Sequence, residues 1–208
     1  MILIGQYDSP FVRRVGIALT LYGLAFEHRP WSAFADAYRI RPHNPLGRVP
    51  ALLLDDGEAL IDSHYILDYL DSLVPEAEAL APRREPQRHR VLKIAALATG
   101  LGDKAVNLFY EQRMHNAASD IYVHRLRAQI DGALDMLEAE RSRCASPYFF
   151  GDRLSHADIA VGCVWHFVMA AHPRLVPVED YANLAALSER LEALPAFRAI
   201  HQPFVAPA

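Results

Sequence analysis

Apolar positions follow two rhythms along this chain. Ile2, Leu3 and Ile4 form a continuous run that stops at Tyr7-Asp8-Ser9-Pro10, where a serine followed by proline predicts a helix N-cap with proline at the first helical position. Val12, Val15, Ala18, Leu19 and Tyr22 then recur at helical spacing until Gly23, a good helix stop. Phe26 to Arg29 suits a second strand, Ser32 to Arg41 reads as weak helix or loop, and His43-Asn44-Pro45-Leu46-Gly47 is turn chemistry ahead of Val49-Pro50. Ala51 to Leu54 and Ala59 to Ile61, separated by Asp55-Asp56-Gly57-Glu58, predict an antiparallel hairpin. Asp62-Ser63 caps a further helix with apolar positions Ile66, Leu67, Tyr69, Leu70 and Leu73, which Pro75 ends. The expected order is β-α-β-α-β-β-α.

From Pro75 to Pro86 the chain turns to Pro, Glu, Ala and Arg without apolar periodicity, as a short interdomain linker does. Beyond it the pattern is helical throughout: about Gln87 to His115, Ser119 to Arg143, Ser155 to Ala171 and Tyr181 to Ala193, with a short helix after Pro195. Two domains are expected, an α/β one over residues 1–78 and an all-α one over residues 87–208. Ser155-x-x-Asp158 has the spacing of a capping box, with Leu154 and Ile159 placed as its hydrophobic staple.

Composition narrows the function classes. Of 208 residues 52% are hydrophobic and 22% charged, too rich in core formers for disorder. The formal charge of -4 lacks the basic excess of an electrostatic nucleic-acid binder, so no nucleic-acid partner is expected. Met1 to Tyr7 does not read as a signal peptide and every later apolar stretch breaks short of a membrane span, so a cytoplasmic protein without a membrane partner is expected. Cys144 and Cys163 form no Cys-x-x-Cys motif and suit a reducing compartment. Ten histidines without close metal-ligand spacing give no metal site.

Several strings together resemble the cytosolic glutathione transferase family over the whole chain: Ser9-Pro10-Phe11-Val12-Arg13-Arg14, Asn44-Pro45-Leu46-Gly47-Arg48-Val49-Pro50, Asp62-Ser63 and Ser155-His156-Ala157-Asp158. The first string looks most like the serine-type classes of plants and bacteria. The resemblance implies a thioredoxin-like N-terminal domain that binds glutathione as co-substrate, a helical C-terminal domain that helps bind a small hydrophobic electrophile, and a homodimer. It also implies glutathione S-transferase chemistry, with isomerase and dehalogenase variants open and detoxification as the associated role. The alternative is a glutathione-binding, ligand-carrying or partner-binding protein of the same fold with little transferase turnover.

Each candidate residue carries two readings. Ser9 is a sound helix cap, and it is also placed where free N–H groups and the positive helix end favour an anion, so it is the candidate catalytic hydroxyl for a thiolate. Tyr7 competes for that role, since other classes use a tyrosine near the end of the first strand. The resemblance implies a cis Val49-Pro50 bond that exposes the backbone of Val49 to the cysteinyl backbone of glutathione, as an added strand. Arg48 is placed to meet the glycyl carboxylate or stands as a solvated loop residue. Asp62 and Ser63 are either a cap or the holders of the γ-glutamyl ammonium and carboxylate; relatives often carry glutamate where this chain has the shorter Asp62. Phe11, Phe109, Tyr110 and Arg113 are candidates for the electrophile side, although an aromatic pair on a long helix also serves as core.

Overall fold

The computed structural model describes residues 1–206. The elements are β1 (Ile2–Ile4), α1 (Pro10–Leu21), β2 (Glu27–Arg29), α2 (Ala37–Ile40), β3 (Ala51–Leu53), β4 (Ala59–Ile61), α3 (Ser63–Ser72), α4 (Gln87–Met114), α5 (Asp120–Ser142), α6 (His156–Ala171), α7 (Ala182–Glu192) and α8 (Pro195–Ala199), with a 3-10 turn at Val178–Tyr181. The chain divides into two compact units, one of Met1–Arg83 with the described residues from Ala193 onward, the other Arg84–Glu192.

In the first unit the strands order β2-β1-β3-β4. β1 runs parallel to β2 and antiparallel to β3, and β3 pairs antiparallel with β4. Only β1 and β3 are hydrogen-bonded on both edges, which accounts for their unbroken Ile2-Leu3-Ile4 and Ala51-Leu52-Leu53 runs. The parallel pair needs a crossover, and α1 supplies it. Val12, Val15, Ala18 and Leu19 on α1 are buried, as are Ile66, Leu67 and Leu70 on α3, and these two helices pack together. The β3–β4 turn closes through the Leu54 N–H on the Glu58 carbonyl at 2.8 Å and the Gly57 N–H on the Leu54 carbonyl at 3.1 Å. This is the β-α-β-α-β-β-α order of a thioredoxin-like fold.

Three local readings shift. β2 starts at Glu27, one residue after Phe26. The stretch from Ser32 shortens to a single turn, α2, because the Asp36 carboxylate takes the Ser32 N–H at 3.0 Å and holds an irregular loop ahead of it. Helix α3 ends at Ser72, before the proline can disturb it.

The described residues from Ala193 onward return to the strand-bearing unit. Phe197 is fully buried there and α8 lies against α1. The guanidinium of Arg13, only 2% exposed, donates to the carbonyls of Ile200 at 2.9 Å and Phe197 at 3.2 Å.

The second unit is helical. α4 packs against α5 and α6, and α7 against α5 and α6. Helix α6 is buried on most faces, consistent with its apolar run from Ile159 to Ala171. It opens with the expected capping box: the carboxylate of Asp158 accepts the Ser155 N–H at 2.9 Å and the Ser155 hydroxyl at 2.6 Å. Its other oxygen takes the Phe149 N–H at 2.8 Å, so one buried carboxylate holds both the cap and the loop before it. An isolated bridge between Tyr148 and Gly151 is the strand-like pairing of this unit among the described residues.

Candidate active site

Ser9 ends a tight turn. Its N–H reaches the Gln6 carbonyl at 3.2 Å, which puts Tyr7 and Asp8 at the turn's centre and Ser9 at the start of α1. Extended backbone at Ser9 (φ -71°, ψ 122°) and Pro10 in the first helical turn give the N-cap. The Ser9 hydroxyl accepts the Val12 N–H at a long 3.4 Å. As an acceptor, a hydroxyl keeps its own hydrogen for donation, and the helix end adds positive potential beside it.

The loop before β3 comes to the same edge. Asn44 is buried, with its amide N–H on the Arg48 carbonyl at 2.7 Å and its oxygen on the Leu46 N–H at 3.0 Å. These two bonds set the course of the chain into the Val49-Pro50 bond, which is cis as the resemblance implied. The Val49 side chain packs against the buried Ile4, Ile40 and Ala51. Among the described residues, neither the N–H nor the C=O of Val49 takes a hydrogen bond. An unpaired backbone edge of this kind is a template for an added extended strand. Arg48, beside it, is exposed.

Asp62 caps α3 by accepting the His64 N–H at 2.8 Å. It does so at φ 68°, the one non-glycine residue at positive φ among the described residues. A side chain held there costs about 1–3 kcal/mol and persists where surrounding structure imposes it, often at a ligand clamp. Ser63 is buried at the helix start, with its hydroxyl 3.5 Å from Nη1 of Arg14, itself 2% exposed on α1. Arg14 therefore ties the N-terminal turn of α3 to α1.

Tyr7 faces the core side of its turn. Its ring stacks on His28 at 3.8 Å between centroids, and His28 Nε2 lies 2.8 Å from the Gly5 carbonyl oxygen. Burial pushes the Tyr7 hydroxyl up to about 12, so this phenol stays protonated across neutral pH. Burial also raises Asp8, opposed by hydrogen bonds from the Val205, Ser9 and Asp8 N–H groups.

The electrophile-side candidates divide between the units. Phe11 is half-buried on the first turn of α1. Phe109, 5% exposed, packs edge-on against Tyr110 and His172 on α4's inner face. Arg113 is exposed, with its guanidinium 6.0 Å from the Phe109 ring centre. His172 Nε2 lies 2.9 Å from the Ala105 carbonyl, and burial lowers the imidazole's pKa. No cluster of three metal-ligating side chains occurs among the described residues.

Three residues of the site carry no role of their own in the sequence, although Asn44 and Arg14 stand within the strings that resemble the family. Gly5 was signalled only by a glycine directly after a strand, a weak hint of close backbone approach. Asn44 looked like ordinary turn chemistry. Arg14 gives no sign of its burial, since a charged residue on a helix is by default exposed.

The glutathione S-transferase N-terminal domain family matches residues 3–78 and the glutathione S-transferase C-terminal domain family residues 120–190. An uncharacterised GST-like protein of Escherichia coli, YibF, is 35% identical over 78% of this chain and 79% of its own length. A probable maleylacetoacetate isomerase of Vibrio cholerae is 30% identical over 95% of this chain and 93% of its own. Among solved structures, a glutathione S-transferase of Methylobacterium radiotolerans in complex with glutathione sulfonate superposes with a TM-score of 0.89 at 31% identity, over 100% of this chain and 98% of that one. A glutathione transferase family member of Pseudomonas fluorescens with bound glutathione gives a TM-score of 0.85 at 33% identity, over 98% and 99%.

Proposed function

Because this chain belongs to the glutathione S-transferase family, we propose that it is a glutathione transferase that binds glutathione along the Ser9, Val49 and Asp62 edge of its first unit and activates the thiol at Ser9. The observation that carries this reading is the pairing of a hydroxyl-capped helix end with the unpaired backbone of Val49 in one compact unit.

The chemistry follows from the groups present. A free thiol with pKa ~8.5 is about 3% ionised at pH 7. Lowering it to ~6.5 takes ~2.7 kcal/mol of preferential stabilisation of the anion and leaves most of it as nucleophile. The Ser9 hydroxyl donates to the sulfur anion, and the α1 N-terminus adds its positive end. Val49 pairs with the cysteinyl backbone beside Pro50, and Arg48 meets the glycyl carboxylate. Asp62 accepts the γ-glutamyl ammonium, while Ser63 holds the neighbouring carboxylate at the start of α3. The thiolate then attacks an electrophilic carbon of a small hydrophobic compound, by addition or by substitution with departure of the leaving group; Phe11 in the first unit and, separately, Phe109, Tyr110 and Arg113 in the second are the candidates for contact with it. Residues 1–78 supply the glutathione-binding domain in this reading and residues 87–208 the helical domain, with the described residues from Ala193 onward belonging to the first compact unit.

The Tyr7 ring stacked flat on His28 supports packing as its role, and the Ser9 hydroxyl at the start of α1 is the donor in this reading. Cys144 and Cys163, in no disulfide, support a cytoplasmic protein, the family supports a homodimer working in detoxification, and with a formal charge of -4 no nucleic-acid partner is proposed, nor a membrane one. No helix among the described residues is long and apolar enough to cross a membrane. The relatives named maleylacetoacetate isomerase favour a second use of the same thiolate, in which glutathione adds and leaves again.

A panel of electrophiles assayed beside a glutathione titration tests the proposal. Saturable glutathione binding with conjugation is the expected result. Binding without turnover on any electrophile would identify a carrier, and turnover without loss of free thiol would identify the isomerase use.

A further inference from the structure

The segment after α8 grips the turn that carries Ser9 at both of its central residues. Gln202 Oε1 accepts the backbone N–H of Tyr7 at 3.1 Å. Three residues on, the Val205 N–H reaches the Asp8 carboxylate at 3.4 Å. Tyr7 and Asp8 are the two residues between Gln6 and Ser9, whose own backbone bond closes the turn.

The grip is anchored independently along one face of α1. The buried Arg13 guanidinium holds the carbonyls of Ile200 and Phe197 and lies 5.7 Å from the Phe197 ring centre. A Cβ on Gly16 would fall 2.9 Å from Ile200 Cγ2 and 3.0 Å from Tyr7 Cε1, so the missing side chain is what admits Ile200 and Tyr7 to the same spot. With Ile200 fixed by Arg13 and Gly16, Gln202 is delivered to Tyr7 two residues later. The Tyr7 N–H is thereby given a directional acceptor from a residue 195 positions away.

We propose that Gln202 is a positioning residue for thiol activation: by holding the Tyr7 N–H it fixes the Gln6–Ser9 turn, and so the direction in which the Ser9 hydroxyl points. It rests on Ser9 acting as the thiolate donor. Gln202 touches the Tyr7 backbone and acts only through the turn. Donor geometry matters steeply here, since a misplacement of about 1 Å can cost up to ~100-fold in rate. Hydrogen-bond strength likewise falls with distance and angle.

The experiment compares the parent protein with Gln202→Met, which keeps the length and removes the amide acceptor, and Gln202→Glu, which restores an oxygen acceptor. The ultraviolet absorbance of the glutathione thiolate is titrated against pH in each complex, alongside conjugation rates at low and high pH. In Gln202→Met the bound thiol pKa is expected to rise by about 0.5–1 unit, so that the rate falls about 3- to 10-fold below that pKa and converges on the parent at high pH. Glutathione affinity is expected to change less than twofold, and Gln202→Glu to return the titration to the parent curve. A Gln202→Met titration identical to the parent's overturns the proposal while leaving Ser9 in place. A parent complex with an undepressed thiol pKa overturns the Ser9 reading and this one with it. Failure of Gln202→Glu to rescue, with Met and Glu equally altered, assigns the effect to packing and overturns the positioning role.

Discussion

Val12 and Val49 close on the same point beside Gly5. A Cβ there would lie 2.5 Å from Val12 Cγ2 and 2.8 Å from Val49 Cβ, at a backbone φ of +128°. The absence of a side chain is what lets the first turn of α1 and the Val49-Pro50 loop share an edge. Gly5→Ala adds overpacking to backbone strain and is expected to destabilise by about 2–4 kcal/mol, with weaker glutathione binding in the folded fraction. Urea melts and a glutathione titration measure both. A loss below about 0.5 kcal/mol would show that the strand end rearranges freely.

Ser9→Ala is expected to raise the thiol pKa of bound glutathione while changing its affinity little. Shifting the pKa from ~8.5 to ~6.5 multiplies the thiolate at pH 7 roughly 25-fold, so the variant loses most of that at neutral pH and recovers at high pH. The long bond to Val12 places the cap's share of stability at about 0.5–1 kcal/mol. Tyr7→Phe is the control, and a pKa that moves with Tyr7→Phe but stays with Ser9→Ala transfers the donor role to the tyrosine. Ser9→Cys is expected to open disulfide exchange with glutathione, because a thiol at a helix N-terminus is itself activated.

Asp62→Gly separates clamp from cap. Glycine relieves the positive φ and costs only a few tenths of a kcal/mol as a cap, so stability should hold. The Michaelis constant for glutathione is expected to rise more than saturated turnover falls, since the γ-glutamyl end is remote from sulfur and bound alike throughout the reaction. An unchanged Michaelis constant would leave Asp62 as a cap.

Ser155→Ala and Asp158→Ala differ in what they strand. Ser155→Ala should cost about 1 kcal/mol. Asp158→Ala leaves the buried N–H groups of Phe149 and Ser155 without their acceptor and should cost about 2–4 kcal/mol. Both are expected to leave glutathione affinity in the folded fraction intact. Lost affinity at unchanged stability would move this helix start into the binding machinery.

His172 makes stability depend on pH in mildly acid solution. Burial lowers its folded pKa, so below about pH 6.5 the unfolded chain binds a proton that the folded protein does not. Its contribution is complete above that pH and is lost as pH falls toward the folded value, with a slope of at most about 1.4 kcal/mol per pH unit. Comparing denaturation at pH 7.5 and 5.5, His172→Phe should lose less stability than the parent. Equal losses would assign the pH dependence to other groups.

Local chemistry made much of this protein legible as a sequence. Ser9-Pro10, Asp62-Ser63 and Ser155-x-x-Asp158 are short-range caps, and the Asp56-Gly57 turn and the 3.6-residue rhythm of α4 to α7 depend on neighbours a few positions apart. Such signals survive in one dimension because the bonds they make span two to four residues. The family strings likewise lay in contiguous stretches, so the two-domain, glutathione-directed reading followed from them.

The tertiary structure alone decided which residues share the edge of the site. Gly5 lets Val12 and Val49 meet across 37 positions, Arg14 reaches Ser63 across 49, and Arg13 holds Ile200 across 187. Two adjacent charged side chains of α1 were buried where carbonyl and hydroxyl partners arrived from distant segments, an outcome no local pattern encodes. The positive φ of Asp62 belongs to the same class, since strain of that kind is imposed by packing and leaves no mark in the order of the residues.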